Sequence, residues 1–335
     1  MLNQLIKRLV IKYPMREAFG QALVKIGRLI EEIVVLDSDV SYPTRTSYFR
    51  KEFPNRFFQL GVAESNMICA ASGLATLGFI PFAVSFAAFM SRRVCDQVNM
   101  AVAYPKLNVK IVGAYAGLSS YSTGATHQAI NDISIMQSIP NMVVVEPADS
   151  IQLYKLLLEI SYYKGPCYFR IMRDEVPSIF LDKDKFVLGK GVVLNEGDDV
   201  TLVGLGTMTA SCLEAASILR DKGINSRVIS IHTVKPIDRE LIIKAAIETN
   251  AIVTVENHSI IGGLGSTVAD ILIKNYPVYM RMVGIKDLFG KCGLPADLLK
   301  KYNMTSLDIV ENAIDVYKLK KMPLRGGCPK GLAEA

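Results

Sequence analysis

No tryptophan and only three histidines occur among the 335 residues, and none of the six cysteines sits in a C-x-x-C pair. The closest two, Cys69 and Cys95, are 26 residues apart, which argues against a zinc site and against a disulfide scaffold. Several of the six lie in apolar runs and read as small buried hydrophobes, as suits a reducing cytoplasm. There is no P-loop, no H-E-x-x-H and no G-x-S-x-G. No basic run accompanies the net charge of +6, so a nucleic-acid surface is not expected. A mild attraction for small anions would fit that charge. The N-terminus carries Lys7, Arg8 and Lys12 among leucines and isoleucines and has neither the long apolar stretch nor the cleavage site of a signal peptide. One uncharged run, 67–90, is long enough to cross a bilayer, but Ser72, Gly73, Thr76, Gly78, Pro81 and Ser85 interrupt it. A buried helix followed by a buried parallel strand explains it better than a membrane span.

What is present is a core-rich chain, 50% hydrophobic, with strands and helices in alternation. Ala18, Phe19, Ala22, Leu23, Ile26, Leu29 and Ile30 fall at helical spacing and predict a helix over 16–31. Strands are expected at 33–36, 57–60, 79–84, 109–113, 142–145 and 167–171, with helices at 64–77, 87–103 and 150–162. A break rich in Pro, Gly and charge follows. Alternation restarts with strands at 200–205, 227–231 and 251–255 and helices at 209–221, 239–249, 264–273 and 306–319. The fold class is therefore α/β, with two domains of mostly parallel sheet covered by helices. The expected division is a first domain at 14–176, a linker at 177–199, a second domain at 200–320 and a loose tail at 321–335.

Two glycine clusters mimic ligand motifs. Gly204-Leu205-Gly206 opens a helix, but Thr209 stands where a dinucleotide fingerprint needs its third glycine. Gly262-Gly263-Leu264-Gly265 reads equally well as a tight turn. Three segments of the first domain carry more. Gly61-Val62-Ala63-Glu64-Ser65-Asn66-Met67 is a glycine turn with an acid at a helix start, a place the helix dipole also favours. Ser85-Phe86-Ala87-Ala88-Phe89-Met90-Ser91-Arg92 puts two aromatics at a strand end. Gly124-Ala125-Thr126-His127-Gln128 puts a histidine in a Gly/Ser/Thr-rich loop, where function is commoner than core packing.

Together these segments resemble the transketolase family, which uses thiamine diphosphate. The resemblance runs from about Pro14 to Leu319 and includes Asn141-Met142-Val143-Val144-Val145-Glu146-Pro147-Ala148-Asp149, Val234-Lys235-Pro236-Ile237-Asp238 and Val255-Glu256-Asn257-His258. It implies that Glu64 bonds the cofactor's pyrimidine ring, sharing a proton with a ring nitrogen. It implies that Phe86 and Phe89 form the wall on which that ring stacks, with Arg92 among the cofactor-binding positions. His127 matches a histidine near the reacting carbon of the donor ketose, and Arg173 an arginine that grips the sugar phosphate, for which a planar fork is suited. Arg16 is a candidate second phosphate contact and Asp39 a loop acid near the substrate channel, although a helix-start cation and a turn acid describe these two equally well. The family commonly has a histidine where Tyr115 stands and acids where Ser122 and Thr123 stand. Tyr115 and Thr123 thus point to a ketose other than the ordinary pentose phosphates, branched or sulfonated for example.

The family's diphosphate-binding domain, with its Gly-Asp-Gly motif, has no counterpart in this sequence, and no residue here is assigned as a metal ligand. Magnesium needs oxygen ligands and the diphosphate itself. The resemblance therefore implies a partner subunit that carries that domain and holds most of the Mg2+ contacts, in an α2β2 assembly acting on small sugars. Two other readings share the fold: the β subunit of a 2-oxo acid dehydrogenase, and a non-catalytic scaffolding chain.

Overall fold

The computed structural model describes residues 2–322. From residue 323 onward the expected tail, with Cys328, lies outside the described residues. Fourteen strands occur among the described residues: β1 (Lys12–Pro14), β2 (Ile33–Asp37), β3 (Phe57–Gln59), β4 (Ile80–Phe86), β5 (Lys110–Ala114), β6 (Val143–Val145), β7 (Cys167–Ile171), β8 (Glu175–Pro177), β9 (Val192–Asn195), β10 (Val200–Leu205), β11 (Ser226–Ile231), β12 (Thr233–Lys235), β13 (Ala251–Ser259) and β14 (Tyr279–Ile285). They form one seven-stranded sheet, β12-β6-β7-β5-β4-β2-β3, and one five-stranded sheet, β14-β13-β10-β11-β9. Strands β1 and β8 make a separate antiparallel ribbon.

In the large sheet every pairing from β6 to β3 is parallel. β2, β5, β6 and β7 are buried along their whole length, which is why their sequences are mostly apolar without alternation, the exceptions being the buried Asp37, Lys110 and Arg170. The helix Met15–Leu29 turns Met15, Phe19, Leu23 and Ile26 inward. Each such burial stabilises by roughly 1.5–3 kcal/mol. The uncharged run divides into the helix Glu64–Thr76, β4 and the start of the next helix. Among the described residues no helix is long and apolar enough to cross a membrane.

The structure adds elements absent from the sequence reading, among them β1, β8, β9 and the helices Leu2–Arg8 and Asp132–Ser138, and departs from it in three further respects. The helix expected over 87–103 is instead a helix Ala87–Arg92, a short helix Cys95–Gln97 and a π-helical turn Val98–Ala103. The wider turn keeps Val98, Val102 and Ala103 buried while the break at 93–94 frees Arg93 to reach back towards Glu64. β14 was not foreseen, because its outer half alternates exposed and half-buried positions and lacks an apolar run. β12, in sequence part of the second half, crosses over and pairs antiparallel with β6 of the large sheet.

A buried ion cluster joins the two sheets. Arg170 on β7 is wholly buried; its Nε donates to Asp132 at 2.8 Å and its Nη1 to Glu146 at 2.6 Å. Its Nη2 donates to the carbonyls of Ala129 and, on β13, Asn257. Tyr168 donates its hydroxyl to the same Asp132 oxygen at 2.7 Å, and burial raises its pKa well above the ordinary value.

Candidate active site

Because β2, β3, β4, β5 and β7 run parallel, the loops that follow them open on one edge of the sheet, the usual place for a ligand in such folds. Asp39 follows β2, Glu64 follows β3, Phe86 ends β4, the segment 115–128 follows β5 and Arg173 follows β7. Parallel pairing alone thus gathers residues that lie up to about 130 positions apart in sequence.

Gly61 takes a left-handed φ of 68°, which turns the chain sharply into the helix Glu64–Thr76. Glu64 is 2% exposed at that helix start. Its Oε2 accepts from Arg93 Nη1 at 2.8 Å, and the Arg93 guanidinium lies 4.3 Å from the centre of the Phe89 ring. Gln59 organises the approach: its side-chain oxygen accepts from the N–H groups of Asp39 and Gly61, and its amide donates to the buried Asp37. Burial raises the pKa of Asp37, opposed by its hydrogen bonds to Thr46, Val40 and Gln59.

Phe86 and Phe89 are half-buried, with ring centres 6.1 Å apart. His127 stands edge-on to both, 6.1 Å from Phe86 and 5.1 Å from Phe89. Its Nδ1 is 2.9 Å from the Thr126 hydroxyl. Arg92 is exposed and donates to the Thr126 carbonyl at 3.2 Å, tying the histidine loop to the aromatic helix. Thr123 is exposed and donates to the Ser120 carbonyl.

Tyr115 links this wall to the cations. Its ring is 4.8 Å from Phe86, and its hydroxyl accepts from Arg16 Nη1 at 3.0 Å and donates to the Pro43 carbonyl. Its φ of 60° is left-handed, rare for a bulky side chain and a form of strain that collects at working sites. Arg173 lies 5.4 Å from the Tyr115 ring centre and 4.7 Å from that of Tyr121. Its nearest carboxylate, Asp174, is 4.0 Å away. Arg16 and Arg173 both lie near Asp174, but neither is held in an ion pair closer than 4.0 Å, so their forks could take up an anionic group. Asp39 sits at the exposed rim in a left-handed conformation, φ 64°, which aspartate tolerates.

The chain matches the pyrimidine-binding domain of transketolase over residues 12–178 and the transketolase C-terminal domain over residues 189–309. It is 43% identical over 319 residues to a 6-deoxy-6-sulfo-D-fructose transketolase subunit of a Clostridium species, covering 95% of this chain and 99% of that one. The chain belongs to the transketolase family. It is likewise 43% identical to a putative transketolase C-terminal section of Methanocaldococcus jannaschii, over 91% of this chain and 96% of that one. A solved structure described as a split-gene transketolase, an inactive β4 tetramer, superposes with a TM-score of 0.86 at 46% identity, over 91% and 99% of the two chains. The two matched domains make this chain the pyrimidine-binding and C-terminal part of a transketolase.

Thiamine diphosphate is the family's cofactor, and the residues suit its pyrimidine end. A flat ring needs an aromatic face and a protein acid at its edge. Phe86 and Phe89 offer the first and Glu64 the second. Among the described residues no group of three or more His, Cys, Asp or Glu is placed to hold a metal ion. The sequence reading did not find Arg93, Tyr121 or Gln59. Arg93 is chemically indistinct from its neighbour Arg92, and only the helix break separates their directions. Tyr121 sits in a loop whose path no local pattern fixes.

Proposed function

We propose that this subunit, with a partner chain carrying the Gly-Asp-Gly domain, transfers a two-carbon ketol unit from an anionic ketose to an aldose. The observation that carries the reading is that Phe86, Phe89 and His127 pack ring to ring, with Glu64 joined to Phe89 through Arg93, although they come from three separate strand ends. Thiamine diphosphate, when bound, supplies the carbon chemistry. With the cofactor bound, Glu64 would share a proton with a ring nitrogen of the pyrimidine, and Phe86 and Phe89, tilted 58° to each other, would supply its aromatic wall. His127, edge-on to the same wall, holds or passes a proton at an oxygen of the donor sugar. Arg173 and Arg16 bind the sugar's anionic end, with Tyr115 fixing Arg16. Arg92 braces the His127 loop, and Asp39 and Thr123 line the channel mouth. The partner supplies the oxygen ligands for Mg2+ and the diphosphate, in an α2β2 assembly of the cytoplasm. The division into domains at 14–176 and 200–320, joined by the linker 177–199, belongs to the same proposal.

For the donor we put a 6-sulfonated ketose first. The sulfofructose enzyme subunit is 43% identical over nearly the full length of both chains, and the cation pair Arg16 and Arg173 suits a sulfonate as well as a phosphate. The test is ketol transfer by the reconstituted pair, comparing 6-deoxy-6-sulfofructose with xylulose 5-phosphate, beside calorimetric titration of this chain alone with thiamine diphosphate and Mg2+. Turnover by the pair and neither tight binding nor turnover by the single chain are expected. Turnover by the chain alone would overturn the two-chain reading, a clear preference for xylulose 5-phosphate would overturn the donor, and CO2 release from a 2-oxo acid would favour the dehydrogenase instead.

A further inference from the structure

The segment 115–128 carries Tyr115, Thr123 and His127 but contains only one short 3-10 turn, Gly124–Thr126. Something other than regular structure must hold it, since a catalytic side chain displaced by about 1 Å loses up to roughly a hundredfold in rate. Part of the hold is from the first half, where Ala116 N–H donates to the Ile171 carbonyl, Gly117 N–H to the Ala129 carbonyl and Arg92 to the Thr126 carbonyl; the rest comes from the second half of the chain. The Asn257 side-chain oxygen accepts the Leu118 N–H at 3.1 Å. Gln128, 1% exposed, donates from its amide to the Lys291 carbonyl at 3.0 Å, and Gly293 N–H donates to the Tyr121 carbonyl at 3.2 Å. Immediately beyond the segment, Ser259 N–H donates to the Ile130 carbonyl at 2.8 Å. The turn at Gly117 has a left-handed φ of 57°, and a Cβ there would lie 2.5 Å from the Asn257 side-chain oxygen. Asn257 itself is fixed from behind, since its carbonyl accepts from the wholly buried Arg170 at 2.8 Å.

We infer that Asn257 is a positioning residue for the reaction, and that the C-terminal half serves as the template that sets the His127-bearing substrate loop. Asn257 satisfies an otherwise unpaired loop N–H at the point where the chain leaves β5, and Lys291 and Gly293 grip the far part of the loop. A leucine at 257 fills the same space but offers no acceptor, whereas an aspartate keeps the acceptor. The role rests on the transketolase reading only for its kinetic consequence; the loop's immobilisation stands apart from it.

The experiment therefore has two arms on the full chain. Amide hydrogen exchange compares wild type with Asn257→Leu and Asn257→Asp. Peptides spanning 115–128 should exchange at least about tenfold faster in N257L, with those of β4 and the helix Glu64–Thr76 unchanged, and N257D should restore protection. In the reconstituted enzyme, N257L should lower kcat/KM for the donor ketose roughly ten- to a hundredfold while half-saturation by thiamine diphosphate stays within about twofold, and N257D should recover most of the loss. Unchanged exchange over 115–128 in N257L overturns the inference, as does an activity loss that N257D does not rescue. If N257L does not fold, Gln128→Met removes the bond to Lys291 and is held to the same two outcomes. Absence of ketol transfer by the wild-type pair would overturn the functional reading and leave the exchange arm to decide the template.

Discussion

Arg93 Nη1 donates to Glu64 Oε2 at 2.8 Å, joining a carboxylate that is 2% exposed to a cation that is 48% exposed. Under the proposed function, the pair occupies the acid that a bound pyrimidine ring would reach. With one partner half in water, the ion pair itself contributes at most about 1 kcal/mol. A ring nitrogen can displace it, and Arg93 can then remain over Phe89.

Removing Arg93 should therefore ease cofactor entry. Arg93→Met is expected to tighten half-saturation by thiamine diphosphate up to about fivefold, the equivalent of about 1 kcal/mol. Titration of activity in the reconstituted enzyme measures it. Weaker binding in the variant would make Arg93 a direct contact of the cofactor instead.

Glu64→Ala should abolish function without abolishing the fold. Turnover of the reconstituted pair is expected to fall by roughly a hundredfold or more, with subunit association retained. A variant with near-normal rate would support the scaffolding alternative.

Tyr115→Phe removes the acceptor for Arg16 and keeps the ring between Phe86 and Arg173. Donor KM should rise by up to roughly ten- to a hundredfold and kcat should change little, because one lost hydrogen bond to a charged group costs about 1.5–3 kcal/mol at most. Steady-state kinetics with the anionic ketose tests this, and a fall in kcat at constant KM would contradict it.

Arg170→Met should be strongly destabilising, by about 3–5 kcal/mol, because it strands Asp132 and Glu146 in the interior without their cation. Replacing Glu146 by leucine in the same chain should return part of the loss. Urea denaturation gives both values. A cost under about 1 kcal/mol would mean that water or rearrangement satisfies the two acids.

His232 sets an acid limit on stability. It is wholly buried, its Nδ1 lies 2.8 Å from the Thr233 hydroxyl, and burial lowers its pKa to about 4. Above the unfolded value of about 6.5 the ring is neutral in both states and the full stability is present. As pH falls from about 6.5 to about 4 the unfolded chain takes up a proton that the folded one refuses, so stability declines by about 3 kcal/mol. Denaturant midpoints of wild type and His232→Asn across that range should diverge at neutral pH and converge towards pH 4. Parallel curves would show that another group controls the acid limb.

β2, β4, β5, β6 and β7 of the seven-stranded sheet were legible because each is a short, mostly apolar and mostly buried segment. Glu64, Phe86, Phe89 and His127 were singled out by the resemblance of their segments to the family, and parallel strand order carries those segments to one edge. β14 was not, since its outer half mixes exposed and half-buried side chains and gives no periodic signal. Arg93 was hidden because the break after Arg92 is set by packing of the π-helical turn rather than by any proline or glycine.

The sequence by itself determined the alternation of strand and helix, the two-part organisation of the chain and the segments that bear chemistry. Those features depend on local periodicity, turn residues and helix starts, which neighbours along the chain encode. Only the tertiary structure decided that β12 joins the large sheet, that Arg170 gathers Asp132, Glu146 and the Asn257 carbonyl, and that Asn257 holds Leu118 from 139 residues away. Such pairings depend on which distant polar groups burial leaves facing one another, and a buried group must find its partner wherever the fold brings one.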